Sequence, residues 1–359
     1  MKKQPGWAKS LVILMLGIAS TSADAGEFQI RRVFGPEIAT GPYKHPACMT
    51  ELDNGDLYLV YYGGQREYAT DTAVYGSRCK KGENQWSTPE TIAHDPLRSV
   101  GNAVVWQAPD RLVWLFYVVR DGSTWSTSRI QFKVSGDGGR SWSDASVLSL
   151  GAGTMVRNRP IVLLDGDYLL PAYRETGSNT ERVGPESTSF FFRFKKKESA
   201  WVESGPIRSS TGNIQPAVVE IGEGHLIAYC RRGGGYGADE EGFLIRAESK
   251  DGGRTWSEGR DSQFPNPNAA VDFLKLESGR LLLIYNDSMN RRTPLTIALS
   301  PDDDRSWTVR RNIMEGPGDF AYPSAFQARD GKIHLVYTSD RRTVINHAIF
   351  DEEWVAGKP

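Results

Sequence analysis

Cysteine is scarce in this sequence, 3 residues in 359, so the fold does not rest on a disulfide scaffold. Neither sign of charge is in excess: 43 Lys and Arg stand against 44 Asp and Glu, a formal net charge of -1. That balance excludes a protein that coats nucleic acid and excludes an acidic solvating tail, so any charge that matters is local. Long apolar runs are missing after the first residues. So are a Cys and His cluster at metal-ligand spacing, a phosphate-cradling G-x-x-x-x-G-K-[ST] loop and a G-x-S-x-G elbow. No cofactor, metal or nucleic-acid partner is implied. Glycine, by contrast, is abundant at 37 residues in a chain that is 39% hydrophobic. That much glycine breaks helices and points to a globular fold rich in tight turns.

The first 25 residues have the form of an export signal. Lys2 and Lys3 open it, Leu11 to Ala19 is a nine-residue apolar core, and Ala23-Asp24-Ala25 is a small-x-small pattern before Gly26. A membrane anchor needs ~20 apolar residues. The expectation is a mature chain 26–359, secreted or periplasmic, with no membrane span and with its oligomeric state open. In an oxidising compartment, a Cys48–Cys79 bridge and buried free thiols are both options. Cys230 lies inside HLIAYC, a run typical of a buried strand.

One pattern recurs six times: two β-rich runs around a tight turn, then a hairpin ending in tryptophan. The paired runs are Ala47 to Gly64, Ala103 to Val119, Pro160 to Tyr173, Pro216 to Cys230, Phe273 to Asn286 and Pro323 to Thr338. The closing tryptophans, Trp86, Trp142, Trp201, Trp256, Trp307 and Trp354, are separated by 56, 59, 55, 51 and 47 residues. Such spacing without helical stretches predicts an all-β, six-bladed β-propeller of four-stranded antiparallel blades, filling 26–359 as one domain. The last unit is one strand short, and the strand Glu27 to Val33 precedes the first. The N-terminal strand is therefore expected to complete blade six and close the ring.

Three hairpins carry a sharper signature: Ser135-Gly-Asp137-Gly-Gly139-Arg-Ser-Trp142, Ser249-Lys-Asp251-Gly-Gly253-Arg-Thr-Trp256, and Ser300-Pro-Asp302-Asp-Asp304-Arg-Ser-Trp307. This is the S-x-D-x-G-x-x-W Asp-box, altered at Asp304. With it the chain resembles the sialidase superfamily, in its branch of BNR-repeat-like domains. The boxes themselves are turn-building devices and say nothing of chemistry.

A propeller pocket sits at one mouth of the central channel, among the loops after each second strand and before each inner strand. The former hold Arg66-Glu67, Arg120-Asp121, Arg174-Glu175, Arg231-Arg232, Arg291-Arg292 and Arg341-Arg342, one arginine or more per blade. Arg66, Arg174, Arg231, Arg292 and Arg342, with Arg157, form the candidate cluster for an anionic ligand, most simply an acidic glycan, because guanidinium forks bind carboxylates at two points. The loops before the inner strands add Asn102, Gln215, Asn268 and Asp272 as hydrogen-bonding groups; the candidate proton carriers within reach are His45, Glu67, Asp71 and Tyr322. His347 reads as core. Gly233 to Gly237 reads as a flexible rim loop, and Pro323 is expected to hold Tyr322 extended.

The family resemblance implies an arginine triad for a substrate carboxylate, a tyrosine nucleophile activated by a glutamate, and an aspartate acid/base. Arg231 and Arg292 match the second and third arginines, Asp71 the acid/base and Tyr322 the nucleophile. Two positions depart: Lys44-His45-Pro46 stands where Arg-Ile-Pro supplies the first arginine, and Gln215 stands where the glutamate is expected. The resemblance therefore implies a sialidase-like glycosidase with altered activation. A uronate lyase using His45 or Tyr322 as base, and a non-catalytic carbohydrate-binding propeller, stay open as alternatives.

Overall fold

The computed structural model describes residues 26–178, 182–235 and 242–357; the export signal lies outside them. Among the described residues six antiparallel blade sheets follow one another along the chain, with a separate two-stranded ribbon between Arg182–Val183 and Gly234–Gly235. Their inner strands are Tyr43–Glu51, Ser99–Gln107, Thr154–Val156 continued by Ile161–Val162, Asn213–Gly222, Asp272–Lys275 and Ala321–Gln327. Inner and second strands are buried along nearly their whole length, whereas fourth strands such as Glu90–His94 are largely exposed. This gradient is why the first two runs of each repeat read as apolar and the later ones did not: central strands are covered on both faces by neighbouring blades.

The ring closes as expected. Phe28–Phe34 pairs with Val344–Phe350, Phe28 opposite Phe350 and Ile30 opposite Ala348. The strand is latched at its start, where the Phe28 ring stacks on Trp354 at 4.1 Å. Asp351 accepts the N–H groups of both Glu27 and Trp354 at 2.7 Å. Trp354 itself sits on a five-residue helix, Glu352–Ala356, capped by Asp351. All three cysteines are buried and unbridged, which removes the Cys48–Cys79 option. No helix among the described residues is long and apolar enough to cross a membrane.

Four inner strands share one irregularity. Between Lys44 and Ala47, Gly101 and Val104, Ile214 and Ala217, and Ala321 and Ser324, three steps on the inner strand oppose two on its partner. One extra residue is a β-bulge, which turns a side chain away from the regular alternation. The bulged residues include His45, Asn102, Gln215 and Tyr322. Three of these, Asn102, Gln215 and Tyr322, have φ of 44°, 54° and 57°. Tyr322 is therefore left-handed, where an extended backbone was expected before Pro323. In blade three the interruption is longer, from Val156 to Ile161, and frees Arg157, Asn158 and Arg159 from pairing.

The Asp-boxes stand at outer hairpins. Asp137 accepts the Arg140 and Ser141 N–H groups at 2.9 Å and the Ser141 hydroxyl at 2.6 Å, and Asp251 repeats the pattern. In the third box Asp304 occupies the glycine position at φ 73°. Its carboxylate is compensated there by the Tyr229 hydroxyl (2.6 Å), Trp307 Nε1 (2.9 Å) and Arg246 Nε (2.6 Å). The exception in the motif thus staples blade five to blade four. Asp304→Ala should lower unfolding free energy by about 2–4 kcal/mol in chemical denaturation, because a buried phenol and indole N–H lose their acceptor and Arg246 loses one of its two carboxylate partners, keeping Glu248.

Candidate active site

Three side chains from the interrupted strand of blade three plug the channel. Arg157 Nη2 donates to the carbonyls of Tyr322 (2.6 Å) and Pro323 (2.8 Å), and Asn158 donates to Pro216 (2.8 Å) and Val271 (3.2 Å). Arg159 donates to the Ala325 carbonyl. Above this plug lies a pocket of about 420 Å³ lined by residues from all six blades. Bulges in four of the inner strands supply its floor: His45, Asn102, Gln215 and Tyr322.

Of the arginines expected there, Arg231, Arg292 and Arg342 line the pocket. Arg231 donates from Nη1 to the Tyr322 hydroxyl at 2.9 Å and to Gln215 Oε1 at 3.1 Å, and from Nε to Asn268 Oδ1 at 2.6 Å. Arg292 lies over the Tyr322 ring at 5.5 Å and donates to the Asn268 carbonyl. Arg342 meets Glu67 at 2.5 Å and follows two other left-handed residues, Asp340 and Arg341. Asn268 is thus a buried holder of Arg231, itself anchored on the Gly234 and Gly235 carbonyls. Those two glycines are buried and paired with Arg182–Val183, where a flexible rim was expected; Tyr236 and Gly237 lie outside the described residues.

The remaining candidates are placed elsewhere. Arg66 is exposed, and Arg174 turns to Glu203 at 3.2 Å. Arg157 and Asp272 are buried in the channel below the pocket, Asp272 accepting the Ala325 N–H at 2.6 Å. Asp71 is exposed and accepts the Gln65 N–H. The Lys44 ammonium points away, to the Gly41 and Ile38 carbonyls. His347 is core, paired with His334 at 2.9 Å.

Sequence reasoning missed Glu175, Tyr173 and the aromatic wall of Tyr68 and Trp125, whose rings lie 5.0 Å apart. The Tyr173 hydroxyl receives Asn102 Nδ2 at 2.9 Å and Gln215 Nε2 at 3.3 Å. Arg120, expected at the pocket, instead backs this wall, 4.4 Å from the Tyr68 ring. In the pairs Arg66-Glu67, Arg174-Glu175, Arg291-Arg292 and Arg341-Arg342 the second member lines the pocket and the first does not. These residues stand at or beyond the ends of the second strands, in turns and loops that are left-handed at Arg341 and Arg342, so no alternation in the sequence marks which neighbour points inward.

Burial pushes the Tyr322 phenol up, but Arg231, Arg292 and Arg342 outweigh it and bring the pKa down to about 8. His45 is held well below its usual value by burial and then by the surrounding guanidiniums, so its imidazole is neutral. Its Nδ1 meets Thr338 Oγ1 at 2.8 Å; that hydroxyl gives its own proton to the Ala321 carbonyl, so Nδ1 carries the hydrogen. Nε2 is left as a buried lone pair without a hydrogen-bond partner, and the ring stands edge-on to Tyr322 at 4.1 Å. Burial raises Glu175 to about 7, with Arg231 opposing and Glu67 adding to the rise.

Ultraviolet difference titration of wild type against Tyr322→Phe should show one tyrosinate forming near pH 8. Arg231→Met should move that transition to higher pH, because the positive charge that favours the phenolate is gone.

The family model of the BNR repeat-like domain matches residues 55–335. No curated protein matches. Among solved structures, the Hadza microbial sialidase superposes with TM-score 0.73 at 16% identity, over 88% of this chain and 67% of that one. A protein of unknown function from Dyadobacter fermentans gives 0.71 at 16%, over 90% and 99%. The intramolecular trans-sialidase from Ruminococcus gnavus gives 0.72 at 13%, over 91% and 98%. At these identities the superpositions speak for the fold, while the matched span, most of the six blades and both intact Asp-boxes, establishes that the chain belongs to the BNR repeat-like domain family.

Proposed function

We propose that this chain is an exported enzyme, secreted or periplasmic, that cleaves the bond to a terminal acidic sugar of a glycan. Arg231, Arg292 and Arg342 would hold the sugar carboxylate and Tyr322 would be the nucleophile. The observation that carries this reading is the Tyr322 phenol enclosed by three guanidiniums, with Arg231 donating to its oxygen. Gln215 cannot take a proton from the phenol, so activation falls to the positive field. With a pKa of about 8, roughly a tenth of the phenol is ionised at neutral pH. Attack on the anomeric carbon forms a tyrosyl glycoside as the glycosidic C–O bond breaks, and water then releases the sugar.

One observation favours a second reading. The bare Nε2 of a neutral His45 beside Tyr322 suits removal of the proton next to a uronate carboxylate, with the arginines stabilising the enolate and the leaving sugar lost by elimination.

Incubation with sialosides, uronosides and rhamnose-capped acidic glycans separates the readings by product. Hydrolysis gives a saturated free acid, and elimination gives an unsaturated sugar with new ultraviolet absorbance. Under the hydrolytic reading Tyr322→Phe should abolish turnover while changing affinity by less than about 1 kcal/mol, and Arg292→Ala should weaken ligand binding by about 2–5 kcal/mol. Binding without any product, and a Tyr322→Phe effect limited to one hydrogen bond of about 0.5–1.5 kcal/mol, would make the protein a sugar-binding propeller.

A further inference from the structure

Cleavage of a glycosidic bond, by either route, leaves an oxygen that must gain a proton as it departs, because a free sugar alkoxide is far too basic to leave unaided at neutral pH. Among the described residues the pocket holds three carboxyl groups. Glu67 is tied to Arg342 at 2.5 Å, and Asp319 accepts the Arg341 N–H at 3.0 Å. Asp71, the sequence match for a proton donor, does not line the pocket. Glu175 differs from all of these. It follows the strand Tyr168–Arg174 with its backbone N–H pinned to the Gly153 carbonyl at 2.9 Å, and its carboxyl group opens into the pocket with no hydrogen bond or ion pair among the described residues.

We infer that Glu175 is the catalytic acid of this pocket, the group that hands its proton to the departing glycosidic oxygen. The inference rests on the reading of the pocket as a site of glycosidic cleavage. Its position satisfies the two demands on such a group: freedom from a fixed cationic partner, which would hold it ionised, and access to the ligand space. The charged and titratable groups around it are Arg231 from blade four, which favours its ionised form, and Glu67 from blade one, which opposes it. Tyr173 stands on its own strand, and His45, Arg292, Arg342 and Tyr322 lie across the pocket. Burial wins among these and raises the carboxyl to about 7, so about half of it holds a proton at neutral pH, while Glu67 is paired with Arg342.

In the hydrolytic sequence the glycosidic C–O pair goes to oxygen, which takes the Glu175 proton while the Tyr322 oxygen bonds to the anomeric carbon. Water then attacks that carbon, loses a proton to the Glu175 carboxylate, and the tyrosine oxygen departs. In elimination the same proton reaches the same leaving oxygen. Glu175 is restored in the first case by water and in the second by the proton that the base has removed.

The test compares wild type, Glu175→Gln and Asp71→Asn on two glycosides of one acidic sugar, one with a sugar aglycone and one with a nitrophenyl aglycone that leaves without protonation. Glu175→Gln should lose roughly 10²–10⁴-fold in kcat/KM, which reports formation of the glycosyl-enzyme, on the sugar aglycone, keep near wild-type kcat/KM on the nitrophenyl glycoside, and lose the alkaline limb of the pH profile. Equal loss on both substrates, or no loss on either, overturns the assignment while leaving the cleavage reading intact. The leaving-group-dependent loss appearing in Asp71→Asn instead transfers the role to Asp71. A wild type that cleaves neither glycoside removes the reading of the pocket and this assignment with it. Carbon-13 titration of the glutamate carboxyls, referenced to Glu175→Gln, should find one group near pH 7; a value at the usual ~4.3 also overturns the assignment.

Discussion

An extra residue in each of four inner strands is the constraint on which the site depends. A regular strand sends alternate side chains to its two faces, and in a propeller both faces meet neighbouring blades. Only a bulge lets a side chain of the inner strand leave that alternation and enter the axis. His45, Asn102, Gln215 and Tyr322 use this route. For Gln215 and Tyr322 the left-handed backbone costs on the order of 1–3 kcal/mol each, and the packed ring sustains it. Arg157 contributes directly, since its guanidinium holds the carbonyls of Tyr322 and Pro323. The plug below the pocket and the phenol within it are therefore one construction.

The electrostatics follow from that placement. Three guanidiniums share a small volume with three carboxyl groups, and Arg342 has its own counter-ion in Glu67. The positive field of Arg231, Arg292 and Arg342 falls on Tyr322 and His45. It lowers the pKa of both, but with opposite consequences: the phenol moves toward its anion and the imidazole is kept neutral. Under the proposed function such a field would receive a carboxylate and would activate groups that are weak nucleophiles or bases in water.

Much of the site was legible and some was not, for identifiable reasons. Arg231, Arg292, Arg342 and Tyr322 stood out because blade-equivalent positions repeat along the chain. Arg66 and Arg174 stood out equally, yet face away. Each is the first residue of a pair whose second member, Glu67 or Glu175, lines the pocket. The path of the turn after the strand decides which neighbour points inward, and composition carries no trace of it. Arg157 and Asp272 were read as substrate-binding, yet neither lines the pocket; depth along the axis is invisible in one dimension.

The repeat period, the turn-building Asp-boxes and the missing sixth-blade strand were determined by the sequence itself. Each is a local pattern of apolar alternation and turn chemistry that the backbone must obey wherever it lies. The tertiary structure decided which polar residues meet. Arg231 and Tyr322 are 91 residues apart and touch only because closure of the ring brings blades four and six to one axis. The free state of Glu175, the pairing of Glu67 and the bare nitrogen of His45 depend likewise on partners from other blades. Their protonation is set by burial and by charges gathered across the channel, quantities that exist only once the ring has closed.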